Sequence, residues 1–420
     1  MNYKEALTWL YSLQRFGIKL GLENIRRLMA ALTIDVGDAR IIHVAGTNGK
    51  GSVCAMIDAI YRAAKYRTGL FTSPHLVTFR ERIRVNGEMV PEEGVADGLT
   101  NIRDLVSTWD PHPTFFEVTT ALALKHFADR KIDICILETG LGGRLDATNA
   151  MPSNVSVITP IDLDHQKWLG QSIRQIATEK AGIIKLNTRV VSAPQLAEAE
   201  EVIRKRAAEC EAPLEIVTES YEASPVALRG AHQKQNAAVA IAAIRAAKAC
   251  PERSRRIAID DAAIVLGLAS VEWPARFQRW DERLIIDGAH NPAAARVLAQ
   301  TWRENFPGQR ATLVLAILND KDLGAVCEAL APIVDFVLLP KIRSERAADP
   351  NDLAKVLSEI FGKRQSGSDL PYSISSSVAD ALKQARARPS PILLTGSLHF
   401  AGEALAYLRG EPAAFEECAQ

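Results

Sequence analysis

The sequence predicts an α/β protein of two domains: a mostly parallel sheet flanked by helices over residues 1–275, then a smaller α/β domain over residues 276–420. Three observations carry this reading. The near-continuous apolar runs at 132–137 and 155–159 suit strands buried on both faces of a parallel sheet. Helical stretches separate such runs, the alternation that builds a sheet with helices on both sides. The rhythm then breaks at 271–277, where Pro274 interrupts it, and a second strand series begins at Leu284.

In chain order, 41–45 reads as a strand and 53–64 as the helix after it. A strand follows at 68–71, and a crossover helix at 116–129 leads into the strand at 132–137. After the strand at 155–159 come a helical segment at 172–182 and an alanine-rich, tightly packed helix at 237–249. The charge run 253–256 reads as a solvated face, and 273–282 as the domain boundary. Beyond it, 284–286, 313–317, 336–339 and 392–394 are strand candidates of a Rossmann-like unit.

Composition bounds the function. At about 100–200 residues per domain, 420 residues suggest two or three domains. Lys plus Arg and Asp plus Glu both number 50, a net charge of zero. That argues against gripping nucleic acid or an anionic membrane as the main task, but leaves room for a local basic pocket. The six cysteines, Cys54, Cys135, Cys210, Cys250, Cys327 and Cys418, form no close pairs. Neither a zinc site nor a disulfide framework is expected. With no apolar leader and no stretch of about 18 uncharged apolar residues, a cytoplasmic protein without a membrane span is expected. A monomer is expected, although no sequence feature reads out oligomeric state.

The strongest local signal is Gly46-Thr47-Asn48-Gly49-Lys50-Gly51-Ser52, set between a predicted strand and a predicted helix. That is the context of a P-loop. Glycines let backbone amides crowd around phosphate oxygens, and the helix N-terminus adds partial positive charge. Lys50 would neutralise the β and γ phosphates, and a hydroxyl would hold Mg²⁺. The general GxxxxGK[ST] pattern needs Gly at 44 and Ser or Thr at 51, whereas the chain has Val44 and Gly51. The hydroxyl arrives one residue late, at Ser52.

With this variant loop, the chain resembles the folylpolyglutamate synthase/dihydrofolate synthase members of the Mur ligase family. The resemblance runs through Thr72-Ser73-Pro74-His75-Leu76, the stretch from Glu138-Thr139-Gly140 to Ala147-Thr148-Asn149, and Asp164-His165 with Leu169-Gly170. It continues through Glu179-Lys180-Ala181-Gly182-Ile183, His232-Gln233 with Asn236, and Asp287-Gly288-Ala289-His290-Asn291-Pro292. It implies an ATP-dependent ligase that joins L-glutamate to dihydropteroate and to reduced folates through an acyl phosphate. A carboxylate is a poor acyl donor until phosphorylated, and that transfer needs positioning and charge neutralisation above all.

The resemblance also implies roles. Ser52, Glu138 and His165 are matched to Mg²⁺ ligands, and Lys180 to a carboxylated lysine. Lys50, Lys180 and His165 are the catalytic candidates. Residues 46–52, Asn236, Arg276 and Asp287 are the ATP candidates. Ser73, Thr114, Asp146, His290 and Ser397 are the substrate candidates, with Phe115 and Phe116 near the pterin or p-aminobenzoate rings.

The residues alone leave alternatives open. Glu138 at a strand end also suits a helix cap, and His165 a loop histidine bonded to Asp162 or Asp164. Lys180 suits a surface pair with Glu179, and Phe115 and Phe116 suit the core. Asp287 and Asn291 suit caps of the helix opening near Pro292. Among functions, a cell-wall Mur ligase acting on UDP-sugar peptides would need a further N-terminal domain, yet the loop begins by residue 46. A synthase acting only on reduced folates is the nearer alternative. A GTPase would carry Asn-Lys-x-Asp, and Asn319-Asp320-Lys321-Asp322 has the wrong order. A non-catalytic relative is disfavoured by the joint presence of Lys50, Ser52, Glu138, His165 and Lys180.

Overall fold

The computed structural model describes residues 1–17, 21–248, 259–362 and 371–416. Cys250, Cys418, Ala249 and the charge run 253–256 lie outside them. Eight strands form the first sheet: β1 (Arg40–Ala45), β2 (Thr68–Phe71), β3 (Ile83–Val85), β4 (Glu88–Met89), β5 (Ile134–Glu138), β6 (Val155–Ile158), β7 (Arg189–Ser192) and β8 (Leu214–Ile216). Their spatial order is β4-β3-β2-β5-β1-β6-β7-β8. From β2 to β8 all neighbours run parallel, and β3 and β4 add an antiparallel edge. β1 and β5 are buried at every position, which explains why both read as unbroken apolar runs.

The second sheet holds β9 (Gln278–Arg279), β10 (Leu284–Ile286), β11 (Ala311–Leu315), β12 (Val334–Pro340), β13 (Tyr372–Ser375) and β14 (Ile392–Thr395). Its order is β13-β12-β11-β14-β10-β9, parallel except at the β9 edge. The α/β class read from the sequence is the one observed.

Two differences matter for function. The helix after β1 spans Lys50–Ala63, three residues earlier than its apolar pattern suggests, so Lys50, Gly51 and Ser52 form its first turn. The cause is that Lys50, Gly51 and Ser52 carry no apolar side chain, so hydrophobic periodicity cannot register the helix's first turn. Strands β3, β4, β7, β8, β9 and β13 carry too little apolar alternation to be seen in the sequence. Both β8 and β13 keep partly exposed positions, and β9 has only two residues.

Packing joins the two sheets. Leu76 and Val77, from the loop after β2, lie in the same apolar cluster as Leu284, Phe400, Ala404 and Phe415 of the second unit. Gly402 allows this approach: a Cβ there would come within 1.9 Å of the Leu76 carbonyl oxygen. Among the described residues, no helix is long and apolar enough to cross a membrane.

Candidate active site

The site lies at the C-terminal edge of the first sheet, where the order of strands reverses around β1. Gly46 has φ +149°, and a Cβ would meet Thr159 Oγ1 at 1.9 Å. Gly49 caps the helix at φ +90°, with Asn236 Oδ1 at 2.8 Å from the place of a Cβ. Neither position tolerates a side chain, so glycine lets the loop pack directly against Thr159 and Asn236. Val53 is the first amide to bond back into the helix, to Gly49 O at 3.0 Å. The amides of residues 49–52 therefore stand where a helix has no carbonyl of its own to offer, the anion-binding end of its dipole.

Thr47 and Asn48 behave differently. Both amides bond the Pro160 carbonyl, at 3.0 and 3.1 Å. Thr47 Oγ1 donates to Asp162 O at 3.0 Å. These two residues fasten the loop to the segment after β6 with groups that the motif alone would give to phosphate. Lys50 Nζ rests on the loop carbonyls of Gly46 and Thr47, at 3.1 and 3.3 Å.

Lys180 is no surface lysine. It is buried, and its Nζ donates to Gly46 O at 2.7 Å. Burial, helped by the charge of Lys50, lowers its pKa to about 7. Glu179 instead pairs with Arg144, at 2.9 Å.

Glu138 ends β5, buried, and Oε2 accepts the Ser73 amide at 3.1 Å. Burial raises its pKa, and Lys50 opposes the rise. It caps no helix. Ser52 Oγ is buried and accepts from Gln233 Nε2 at 3.4 Å; Gln233 Oε1 in turn accepts from Asn236 Nδ2 at 2.9 Å. His165 takes a left-handed backbone, φ 51°, and its amide donates to Asp164 Oδ1 at 2.8 Å. The residue is exposed at the rim of the site; desolvation by the protein around the ring, with repulsion from Lys321, Lys50 and Lys180 and against the pull of Asp164, lowers its pKa to about 4. At neutral pH the ring is uncharged and keeps a nitrogen lone pair. Among the described residues, no three His, Cys, Asp or Glu side chains gather as a metal site by themselves.

The second unit closes on this edge through Asp164. Its Oδ1 lies 2.6 Å from Lys321 Nζ, and the side chains are only 8% and 7% exposed. Asn291 Nδ2 reaches Asp164 Oδ2 at 3.3 Å and Asn48 Oδ1 at 3.0 Å, while Asn291 Oδ1 caps the helix Pro292–Asn305. His290 Nε2 stands 3.6 Å from Asp164 Oδ2, and its Nδ1 lies 2.9 Å from Gly288 O. Burial opposes ionisation of Asp164, but His290, His165 and Lys321 together hold its carboxyl well below the usual range. Sequence reasoning missed Lys321 and saw Asn291 only as a cap. Lys321 lay in a stretch set aside for lacking the guanine-binding order.

Arg276 is partly buried, its pKa lowered by desolvation against the charges of Asp287 and Glu138, and it donates to Ala275 O at 2.9 Å. The Asp287 carboxylate accepts from the amides of Phe277 and Ala289, at 2.7 and 2.8 Å, so it braces its own turn. Trp273 covers the loop helix: its Nε1 is 2.7 Å from where a Gly51 Cβ would sit. A cleft lined by Ser73, Glu138, Trp273, Arg276 and Leu398 runs between the units.

Three substrate candidates also make local bonds. Thr114 and Glu117 form a capping box for the helix Phe115–Asp129. Ser397 caps the helix Leu398–Leu408. Asp146 is buried, and its carboxylate accepts from the amides of Gly140, Leu141 and Thr148 and from the Thr148 hydroxyl. Phe115 belongs to the core, with Phe116 packed beside it.

A phosphate loop, a buried lysine against it and a second α/β unit closing over the same edge define a nucleotide-dependent ligase. Residues 44–212 match the Mur ligase middle domain, and residues 275–398 the glutamate ligase domain of Mur ligases. The chain is 35% identical to the dihydrofolate synthase/folylpolyglutamate synthase of Bacillus subtilis strain 168, over 95% of this chain and 97% of that protein. A Yersinia pestis bifunctional folylpolyglutamate synthase/dihydrofolate synthase, solved with AMPPNP and manganese, superposes with a TM-score of 0.84 at 31% identity, covering 97% and 98% of the two chains. Escherichia coli FolC with DHPP and ADP gives 0.82 at 31%, covering 96% and 98%. This chain belongs to the folylpolyglutamate synthase/dihydrofolate synthase family of Mur ligases, and it is an ATP-dependent ligase of glutamate.

Proposed function

We propose that the enzyme joins L-glutamate to 7,8-dihydropteroate and to reduced folates, releasing ADP and phosphate. What supports this is the likeness to dihydrofolate synthase/folylpolyglutamate synthases over nearly the whole chain, together with a cleft that the loop after β2, bonded from the Ser73 amide to Glu138, lines beside Gly51 of the phosphate loop. An acceptor carboxylate in that cleft would face the γ-phosphate. Its oxygen attacks phosphorus and ADP departs; the glutamate amine then attacks the acyl carbon and phosphate departs. Lys50 and the amides of residues 49–52 neutralise the moving phosphoryl charge. The sequence-derived roles of Asn236, Arg276 and Asp287 toward ATP, and of His290 toward glutamate, belong to the same proposal. So does the division at residue 275/276. We also take the enzyme to be a cytoplasmic monomer whose partners are these small molecules.

The donors fit a divalent cation such as Mg²⁺. Glu138 is a buried carboxylate whose ionisation burial resists, His165 is a neutral imidazole, and Ser52 adds a hydroxyl. These three would hold the ion, which when bound supplies charge neutralisation to the phosphates. Lys180 fits carboxylation, because only a neutral amine takes up CO₂, losing a proton as the carbamate forms; its pKa near 7 keeps much of it neutral.

The test is ADP release with L-glutamate and each acceptor in turn. Turnover is expected with dihydropteroate and with a reduced folate monoglutamate. Turnover with the reduced folate alone would remove the dihydrofolate synthase half; turnover with UDP-sugar peptides alone would remove the folate reading.

A further inference from the structure

The block Ser73-Pro74-His75, singled out in the sequence for substrate contact, does something else at its third residue. His75 is buried. Its Nδ1 accepts from Arg82 Nε at 2.9 Å, which leaves Nε2 as the donor, and Nε2 lies 3.1 Å from Glu416 O. Glu416 comes from the second unit's C-terminal segment, which follows the helix Leu398–Leu408. Its amide donates to Val77 O at 2.8 Å. Its carboxylate accepts from the Phe79 amide, from Thr78 Oγ1 at 3.2 Å and from Tyr3 OH at 3.0 Å. Phe415 meets His399 edge-on at 5.0 Å, which anchors the strap to its own unit.

The loop held in this way lines the cleft with Thr72, Ser73, Pro74 and Leu76. On its inner side Glu81 accepts the amides of Leu76, Val77 and Thr78. On its outer side Glu416 takes the next amide and a carbonyl. A loop with its backbone groups gripped from both sides loses the freedom that exposed loops keep.

We propose that Glu416 is a positioning residue for the acceptor: by gripping residues 75–79 it fixes the loop after β2 against Glu138. The second unit then shapes the acceptor site as well as closing over the nucleotide. This rests on the reading that the loop faces the acceptor.

The test compares full-length wild type with Glu416→Ala, Glu416→Gln and Tyr3→Phe. Steady-state kinetics vary acceptor, ATP and glutamate separately, and amide hydrogen exchange follows residues 73–79. Glu416→Ala removes all three carboxylate bonds and is expected to raise the acceptor KM at least about tenfold. KM for ATP and glutamate should stay within about twofold, and the Phe79 amide should exchange faster. Glu416→Gln keeps an acceptor oxygen and should recover part of the loss, and Tyr3→Phe should show a smaller loss. If Glu416→Ala does not fold, the two milder variants decide. Unchanged exchange at Phe79 overturns the grip whatever the substrate is. Faster exchange with an unchanged acceptor KM, or with all three KM values rising together, overturns the positioning role. Failure of the acceptor reading looks different: wild type itself would not turn over folate-type acceptors.

Discussion

Replacing Lys321 by Met removes one partner of the buried pair that joins the two units. Deleting one member of such a pair costs about 3–5 kcal/mol, because the other charge stays buried. Asp164 would keep Asn291 at 3.3 Å and His290 at 3.6 Å, so the lower end applies, about 3 kcal/mol. The pair links the segment after β6 to the segment after β11, and neither sheet depends on it. The loss should therefore appear in closure, not in unfolding of either sheet. At about 1.4 kcal/mol per decade, kcat/KM for ATP should fall roughly 100-fold. Steady-state kinetics with a thermal melt is the assay. In a double-mutant cycle with Asp164→Asn, the double variant should be little worse than the worse single. The sign of the pH effect follows from Asp164: a carboxyl held low contributes above its unfolded pKa and loses that contribution as pH falls through its folded one. The contact should thus persist across mildly acidic pH, and salt should weaken it little. A Lys321→Met enzyme within about threefold of wild type would refute the closing role.

Other outcomes follow from single contacts. Lys50→Ala should fold normally and lose several kcal/mol of transition-state stabilisation, with turnover undetectable by ADP release. Gly46→Ala should abolish nucleotide binding in calorimetry, since its Cβ would overlap Thr159. Lys180 binds its proton more weakly folded than unfolded, so between about 7 and 10.5 stability rises with pH and the cost is complete below 7. In CO₂-free buffer, Lys180→Met should raise Tm more at pH 6 than at pH 9.5; the reverse order would contradict the buried ammonium. Lys180→Arg should be nearly inactive even in bicarbonate, as a guanidinium cannot form the carbamate.

What was legible in the sequence was what is local. The phosphate loop is contiguous, and β1 and β5 declare themselves because both faces are buried. Glu138 could be placed at a sheet edge for the same reason. The caps formed by Thr114 with Glu117, and by Ser397, are local too, but only the structure shows them. Lys180 meeting Gly46, Asn291 meeting Asn48 and Lys321 meeting Asp164 join residues 134, 243 and 157 positions apart. No periodicity or spacing encodes such encounters; they follow from which strand ends the topology brings together. The short edge strands were illegible because they bury little, so composition hardly constrains them.

Trp273 gives the molecule an optical consequence. Its indole lies over Gly51 at the start of the loop helix, with the Arg84 guanidinium 5.6 Å from its ring. A ring so placed senses the local field and hydration, so phosphate arriving at the loop should alter its emission. The protein thus carries an intrinsic fluorophore at the seam of its two halves. Trp273→Phe supplies the blank against which stopped-flow traces would separate nucleotide arrival from the slower movement of the halves.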